Sequence, residues 1–318
     1  MKLITMNDVK AEEIKWLWYP YIPCGKITLV QGDPGDGKTT LVLAIASLLT
    51  RGEPMPEDTA HSPPGKTIYQ TAEDGLSDTI RPRLDRVGAD CTNVIVIDES
   101  EQALSFSDSR IEEAIRETSA KLFILDPLQA YLGDDVDMHR ANEIRPRLKM
   151  LANVAEKTSC AIVLIGHMNK MSGTKGLYRG LGSIDIAAAA RSIILVGRYG
   201  ENKESRVMAH LKSNLAPEGN PVAFSLDGES GFEWLGSCSV GIDEILYSSS
   251  SSSPKKDTKQ QLAVEIITER LRNGEVAANE MYALLAENGI SKRTAENAKQ
   301  FMNINSYPKD HKWYWSIY

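Results

Sequence analysis

One eight-residue segment, Gly32–Thr39, limits more than any other feature what this chain can fold into. It reads Gly-Asp-Pro-Gly-Asp-Gly-Lys-Thr and fits the pattern GxxxxGK[ST]. An apolar stretch, Lys26–Gln31, precedes it, and a segment rich in Leu and Ala follows it. Glycines let backbone N–H groups close around an anion at a helix N-terminus, where the helix dipole favours negative charge. The segment therefore predicts a phosphate-binding turn between a strand and a helix.

The residues of this turn have separate predicted roles. The Lys38 ammonium is expected to reach the β- and γ-phosphates of ATP, and the Thr39 hydroxyl is a candidate ligand of Mg²⁺. The candidate nucleotide-binding residues are Gly32, Asp33, Pro34, Gly35, Asp36, Gly37, Lys38, Thr39 and Thr40. The alternative is a chance glycine-rich turn, which does not explain why strand, complete motif and helix occur in register.

A carboxylate at the end of an apolar strand is the second requirement of such a site, because Mg²⁺ prefers oxygen ligands. The segment Lys121–Asp126 supplies this carboxylate after four apolar residues. Asp126 is therefore the candidate Walker B residue, which holds the metal, often through water. An Asp at a strand end can also merely cap the next turn, but the upstream phosphate-binding motif favours the metal-binding interpretation.

Hydrolysis of ATP also needs a group that orients the attacking water. Glu73 directly follows the predicted strand Thr67–Ala72. We expect this strand to lie beside the strand that leads into the phosphate-binding turn, which makes Glu73 the leading candidate. Its neighbour Asp74 is a rival, and a pair of carboxylates that only caps a helix is the third interpretation.

Short apolar runs alternate with helical patterns, which predicts an α/β fold with a mainly parallel sheet covered by helices. These runs are Lys26–Gln31, Lys66–Thr71, Asn93–Asp98, Lys121–Asp126, Ala161–Gly166 and Ser192–Val196. Two later runs, Val207–Lys212 and Pro221–Leu226, predict an antiparallel edge. Six serines at Ser248–Ser253 indicate a flexible linker. The predicted domains are therefore residues 1–247 and 258–318, joined by 248–257.

The smaller domain is predicted to be a winged helix-turn-helix, because three helical patterns precede a strand–turn–strand tail. Gly289 is expected to end the second helix in a left-handed conformation, and Ser291 to cap the third helix. Trp313 and Trp315 alternate along the tail and share one face of the hairpin. Both are predicted to form its core.

Composition excludes several functional classes. The net charge of −7 provides no overall basic field, so any contact with DNA must come from local patches. The four cysteines lie far apart without a CxxC pair, which argues against a zinc site and a disulfide framework. No apolar run approaches the ~20 residues that span a bilayer, and the first ten residues lack the apolar core of an export signal. A soluble cytoplasmic protein without membrane contact is predicted.

Together these segments resemble the RepA-like branch of the RecA-fold ATPases, which includes plasmid and prophage replicative helicases related to the bacterial DnaB helicase. The resemblance covers roughly residues 15–235 and rests on Gly32–Thr40, Thr71–Asp74, Asp126, Ile165–His167, Arg179–Ser183 and Arg191. It implies a RecA-like P-loop ATPase core that binds Mg·ATP between the subunits of a homo-hexameric ring, with single-stranded DNA at the centre. It also implies that Glu73 activates water and that His167 senses the γ-phosphate. A histidine buried in the core is the alternative for His167.

The predicted DNA contacts are basic residues in two places. The loop Met168–Arg179 has three cations and no acidic residue, and a ring would bring six copies of it into one pore. In the smaller domain, the exposed side of the predicted third helix also has cations. A solvated loop and a protein-docking helix are the respective alternatives. The candidate DNA-contact residues are Lys170, Lys175, Arg179, Lys292 and Arg293.

Hydrolysis between subunits needs a cation from the neighbouring subunit to stabilise charge on the transferred phosphoryl group. Lys212 lies at the end of a late predicted strand and matches the region where related ATPases place this cation. Arg191 and Arg198 are alternatives, as is a lysine that only lies at the surface. The leading hypothesis is an ATP-driven replicative helicase or translocase of a mobile element, with a primase, loader or replication initiator as candidate partners. The rivals are a RecA-type recombination ATPase and a DNA-binding regulator switched by ATP.

Overall fold

Two units make up the chain, Met1–Ser249 and Ser250–Tyr318. The computed structural model describes residues 3–133, 141–167, 184–200, 202–228, 231–242, 244–245, 258–272, 274–302, 304–309 and 312–316. The predicted linker, 248–257, lies outside the described residues, and the predicted domain boundaries stay a prediction. Within the described parts of the chain, no helix has the length and apolar character that crossing a membrane would require.

A nine-stranded sheet forms the centre of the first unit. Its strands are β3 (Ile27–Gly32), β4 (Thr67–Thr71), β5 (Val94–Ile95), β6 (Leu122–Asp126), β7 (Ala161–His167), β8 (Ser192–Arg198), β9 (Ser205–Ser213), β10 (Val222–Asp227) and β11 (Gly231–Ser237). Their order across the sheet is β11-β10-β9-β8-β3-β7-β6-β4-β5. A separate antiparallel pair, β1 (Trp16–Trp18) and β2 (Ile22–Pro23), precedes them.

Helices connect the parallel strands of this sheet. They are α1 (Lys38–Arg51), α2 (Arg81–Arg86), α3 (Ser109–Thr118), α4 (Ala141–Thr158) and α5 (Ile184–Ala189). Shorter helical turns occur at Met6–Asp8, Leu76–Ile80, Cys91–Asn93 and Leu128–Tyr131. Neighbouring residues on one strand point to opposite faces of the sheet, so the apolar strands supply a hydrophobic core on each side. Leu29 belongs to one core and Val30 to the other.

The prediction of a mainly parallel sheet with an antiparallel edge is confirmed. Six strands, from β8 to β5 in sheet order, run parallel, and β9, β10 and β11 continue as antiparallel neighbours. The sequence analysis missed β11, whose inner and outer residues alternate in burial and which therefore lacks a continuous apolar run. The predicted strand Asn93–Asp98 is reduced to the two residues of β5.

The expected position of β4 beside β3 is wrong. The neighbours of β3 are β7 and β8, and both β6 and β7 lie between β3 and β4. Strand order depends on which crossovers pack together over long sequence separations, and apolar runs alone do not encode it. As a result, β4 pairs directly with β6, and Thr71 is opposite Asp126 in register.

The second unit contains three helices and a three-stranded sheet. Its elements are α6 (Thr258–Leu271), β12 (Val276–Ala277), α7 (Ala278–Glu287), α8 (Lys292–Phe301), β13 (Asn305–Lys309) and β14 (Lys312–Ser316), and the strand order is β12-β14-β13. Gly289 has a φ of 70°, and the Ser291 hydroxyl accepts a hydrogen bond from the Thr294 N–H at 3.2 Å. Both predicted caps are therefore confirmed.

The two tryptophans of the hairpin differ from the prediction that both lie in its core. Trp315 is fully buried, and its ring contacts that of Tyr282 with centroids 5.1 Å apart. Trp313 is 57% exposed, so its placement in the core is wrong. It lies nearer the hairpin end, opposite Pro308, whereas Trp315 is opposite Ser306 and beside β12. A shared face buries both residues only where other elements cover that face along its whole length.

Candidate functional site

The turn between β3 and α1 has the backbone shape that a phosphate-binding loop needs. Gly35 and Gly37 have φ angles of 81° and 88°, a left-handed region that favours glycine. A Cβ at Gly32 would lie 2.2 Å from the Val196 carbonyl oxygen on β8, so no side chain fits there. The motif glycines thus let the chain reverse tightly into α1, which begins at Lys38.

The Lys38 side chain folds back over this loop. Its Nζ donates hydrogen bonds to the carbonyl oxygens of Gly32 at 3.0 Å and Asp33 at 2.8 Å. Burial lowers the pKa of the ammonium, and the nearby carboxylates, Asp36 first and also Glu73, oppose that shift. The cation is therefore held above the loop, where the phosphates of a nucleotide would be bound.

Asp36 is the buried acid of the same loop. Its Oδ2 accepts a hydrogen bond from the Asp33 N–H at 3.1 Å, and its Oδ1 lies 3.6 Å from Nε of Arg198 at the end of β8. Burial raises the pKa of this carboxyl, and the charge of Asp33 raises it further. The loop thus already presents a backbone N–H to an anionic oxygen, which is the contact that a phosphate-binding loop makes.

The Asp126 carboxylate receives two hydroxyl groups at the end of β6. Thr39 Oγ1 on α1 donates to Asp126 Oδ2 at 2.6 Å, and the Tyr69 hydroxyl on β4 donates to the same oxygen at 2.9 Å. Burial, and then the charge of Asp126, raises the pKa of the Tyr69 hydroxyl, which remains protonated at neutral pH. The Thr39 and Asp126 oxygens are close enough to serve one Mg²⁺, and oxygen donors are those that this ion prefers. The residues present therefore fit the metal.

Sequence analysis did not identify Tyr69 as part of this site. In the pattern Thr-Ile-Tyr-Gln-Thr it looks like a core aromatic residue of a strand, and it is fully buried. Its position opposite Ile124, beside the Asp126 carboxylate, follows only from the pairing of β4 with β6. No local signal in the sequence could have revealed that pairing.

Glu73 and Asp74 follow β4 but have different surroundings. Asp74 Oδ2 lies 2.6 Å from Nη1 of Arg83 on α2, and its backbone N–H donates to the Thr71 hydroxyl. Glu73 is exposed, and within the described residues no hydrogen bond or ion pair engages its carboxylate. The Ala72 N–H donates to the Asp126 carbonyl, so the segment is attached to β6 beside the metal-binding candidate. This placement favours Glu73 over Asp74 as the group that orients water.

His167 ends β7 and lies opposite Gly32 in register, directly beside the phosphate-binding loop. Its Nδ1 is buried and has no hydrogen-bond partner in the part of the chain that the structure describes. The candidate DNA residues Lys170, Lys175 and Arg179 follow it and lie outside the described residues.

Lys212 lies far along β9 from the phosphate-binding loop of its own chain. It pairs with Ile193 near the beginning of β8, whereas the loop follows the end of β3. Its Nζ donates to the carbonyl oxygens of Ala187 at 2.8 Å and Ala190 at 2.9 Å, at the end of α5. Burial lowers the pKa of this ammonium, and the charge of Arg191 adds to the effect. The structure thus brings Lys212 and Arg191 together, and Arg198 to the loop.

Lys292 and Arg293 of the second unit are exposed at the beginning of α8. The Lys292 ammonium lies 5.2 Å from the centroid of the Tyr282 ring, a cation–π distance. The helix therefore presents its cations to solvent, as the sequence analysis expected.

The fold and this site define a P-loop ATPase with a RecA-type core. Residues 4–173 match the AAA_25 family, described as an AAA domain, and the chain belongs to that family. In fold it is similar to the solved ATPase domain of a DnaB-like helicase, with a TM-score of 0.50 and 14% identity. That match covers 66% of this chain and 84% of the helicase domain.

Two curated relatives share the name DNA repair protein RadA. The chain is 25% identical over 234 residues to that of Halalkalibacterium halodurans, which covers 70% of this chain and 47% of the relative. It is 23% identical over 154 residues to that of Bacillus subtilis, covering 48% of this chain and 30% of the relative. The chain thus spans less than half the length of these relatives.

Proposed function

We propose that this protein is an ATP-dependent DNA helicase or translocase of the replicative, mobile-element type. In this proposal, ATP is hydrolysed between the subunits of a homo-hexamer, and single-stranded DNA is bound by the loop after His167. The observation that carries the proposal is the meeting of Lys38, Thr39 and Asp126 at one end of the sheet, with Glu73 on the adjoining segment.

Each residue has a separate task in the proposed reaction. The loop N–H groups and the Lys38 ammonium bind the phosphates, and Thr39 with Asp126 holds Mg²⁺. When bound, Mg²⁺ supplies positive charge that offsets the charge developing on the phosphate oxygens. The exposed Glu73 carboxylate accepts a hydrogen bond from a water molecule and orients it. Lys212 from the neighbouring subunit, once released from the end of α5, stabilises charge on the transferred phosphoryl group.

His167 is proposed to couple the nucleotide to DNA. It lies beside Gly32, and the candidate loop with Lys170, Lys175 and Arg179 begins directly after it in the sequence. A shift of the histidine towards or away from a γ-phosphate would therefore be passed along the chain to the loop. Its buried Nδ1, which lacks a partner among the described residues, supports this role because a terminal phosphate could satisfy it.

The second unit is proposed to be a winged helix-turn-helix. Its helices, short strand and hairpin follow one another in the order expected of that fold. The exposed cations at the beginning of α8, Lys292 and Arg293, are the proposed DNA contacts. A primase, loader or replication initiator is the proposed type of protein partner.

The test of this function is ATP hydrolysis with and without a single-stranded oligonucleotide, combined with unwinding of a forked duplex. We expect the oligonucleotide to stimulate hydrolysis and the duplex to be separated only when ATP is present. The Lys38→Ala protein, purified in the same way, controls for contaminating ATPases. Hydrolysis that single-stranded DNA leaves unchanged, without unwinding, would contradict the proposal.

A second candidate is a RecA-type recombination ATPase, which the RadA relatives favour because their printed name is DNA repair protein. Negative-stain images with an ATP analogue and single-stranded DNA separate the candidates. Closed rings support the helicase proposal, and helical filaments support the recombination ATPase.

A further inference from the structure

The Asp126 carboxylate is held by groups from two independent parts of the fold. Thr39 lies in the first turn of α1, so its position depends on the phosphate-binding loop that precedes this helix. Tyr69 lies within β4, where its ring is fully buried among the hydrophobic residues on one face of the sheet. A tyrosine ring has few rotatable bonds and is easily fixed by packing. The Tyr69 hydroxyl is therefore a donor whose position does not depend on the loop.

The two donors use the same carboxylate oxygen. Both hydroxyl groups contact Oδ2, at 2.6 Å and 2.9 Å, and no donor to Oδ1 is found among the described residues. An ionised carboxylate only accepts hydrogen bonds, so Tyr69 must donate. Fixing one oxygen fixes the rotation of the whole carboxylate about its Cβ–Cγ bond.

We propose that Tyr69 is a positioning residue for Mg²⁺ binding, which holds Asp126 Oδ2 so that Oδ1 is presented to the metal or to its bound water. The inference rests on the proposed role of Asp126 in the ATPase site. Hydrogen-bond partners of this kind orient a metal-binding side chain, and their loss typically weakens metal binding by about 10- to 100-fold.

Tyr69→Phe tests the hydroxyl alone, because the ring and its packing are kept. The measurement is the affinity of a fluorescent, non-hydrolysable ATP analogue, first in EDTA and then across a titration with Mg²⁺. We expect the Mg²⁺ concentration for half-maximal enhancement to rise about tenfold in the variant. The affinity in EDTA should stay unchanged, because Tyr69 contacts no residue of the phosphate-binding loop through its hydroxyl.

Tyr21→Phe is the matched control. The Tyr21 hydroxyl is also attached to a buried ring and donates to a backbone carbonyl, that of Asn220, remote from Asp126 in the sequence and in hydrogen bonding. Neither affinity should change in this variant. Thermal unfolding of both variants measures any general loss of stability.

Two results would overturn the inference. One is an unchanged Mg²⁺ requirement in Tyr69→Phe; the other is an equal loss of affinity with and without Mg²⁺, which would indicate an effect on the fold. Asp126→Asn separates this failure from that of the proposed site. If Asp126→Asn raises the Mg²⁺ requirement and Tyr69→Phe does not, only the role of Tyr69 is wrong. If neither variant changes it, the assignment of Asp126 is wrong as well.

Discussion

Thr39 Oγ1 and Asp126 Oδ2 lie 2.6 Å apart, although 87 positions separate the two residues in the sequence. Two neighbouring strands position the Asp126 end of this contact, and the phosphate-binding loop positions the Thr39 end. The contact therefore assembles only when β3, α1 and β6 are all in place. It joins the part of the site that binds phosphate to the part that binds the metal.

Lys38→Ala should weaken nucleotide binding by at least about tenfold, because hydrogen bonds from charged groups contribute about 1.5–3 kcal/mol each. Titration with a fluorescent ATP analogue measures the change. Lys66→Ala is the control, since Lys66 is an exposed lysine elsewhere in the same unit. An affinity equal to that of the wild type would refute the assignment of the phosphate-binding loop.

Replacing Lys170, Lys175 and Arg179 together with alanine should weaken binding to single-stranded DNA. Fewer counterions would be released, so the slope of log K against log salt should fall by about 2 for three lost phosphate contacts. Fluorescence anisotropy of a labelled oligonucleotide at several salt concentrations gives the slope. Alanine at three exposed cations elsewhere, Lys66, Lys121 and Lys203, is the control. If the slope is the same in wild type and loop variant, DNA binds at another surface.

Mixing Lys212→Ala subunits with Glu73→Gln subunits should restore part of the ATPase activity that each variant lacks. Some interfaces would then combine an intact Glu73 on one subunit with an intact Lys212 on the next. Mixing Lys212→Ala with the double variant should restore nothing, because no interface regains both groups. Since Lys212 also holds the end of α5, thermal unfolding of the variants is measured in parallel. Without recovery in the first mixture, Arg191 or Arg198 becomes the better candidate.

His210 should make the first unit less stable in mild acid. Its Nδ1 accepts a hydrogen bond from the Gly219 N–H at 2.8 Å, and Nε2 lies 3.1 Å from the Ser192 hydroxyl. Burial lowers the pKa of His210 from 6.5 to about 4, so the folded protein keeps this ring neutral while the unfolded chain protonates it. The stability from the neutral ring is fully present above pH 6.5 and is lost as the pH falls towards 4.

The full loss corresponds to about 3 kcal/mol, from about 1.4 kcal/mol for each pKa unit. Denaturant unfolding of wild type and His210→Gln at several pH values, from about 7.5 down to about 4.5, measures it. The difference in unfolding free energy between the two proteins should shrink as the pH falls. A difference that stays constant over this range would show that His210 does not titrate as described.

The sequence predicted the elements of this site better than their neighbours in space. The phosphate-binding turn and the strand that ends at Asp126 follow from local patterns, because a glycine-rich motif and an apolar run are read over a few residues. The order of strands is a non-local property, and so the expectation that β4 lies beside β3 failed. The contact between Tyr69 and Asp126 escaped the sequence analysis for the same reason.

Burial of aromatic residues in the hairpin shows a related limit. Alternation places Trp313 and Trp315 on one face of β14, which is a local property. Whether a helix covers that face is decided by how far the packing extends along the hairpin. It reaches Trp315, which packs against Tyr282, and leaves Trp313 exposed.

The most direct test of the account is a single-turnover measurement of bound ATP in the Glu73→Gln protein. The variant should bind Mg·ATP with the wild-type affinity, because Glu73 is exposed and makes no contact with the loop among the described residues. Its rate of hydrolysis should fall by about 10²- to 10⁴-fold, the typical contribution of a positioned acid–base group. Glu101→Gln, at another exposed glutamate, should hydrolyse ATP at the wild-type rate. A Glu73→Gln protein that cleaves bound ATP as fast as the wild type would contradict the central claim.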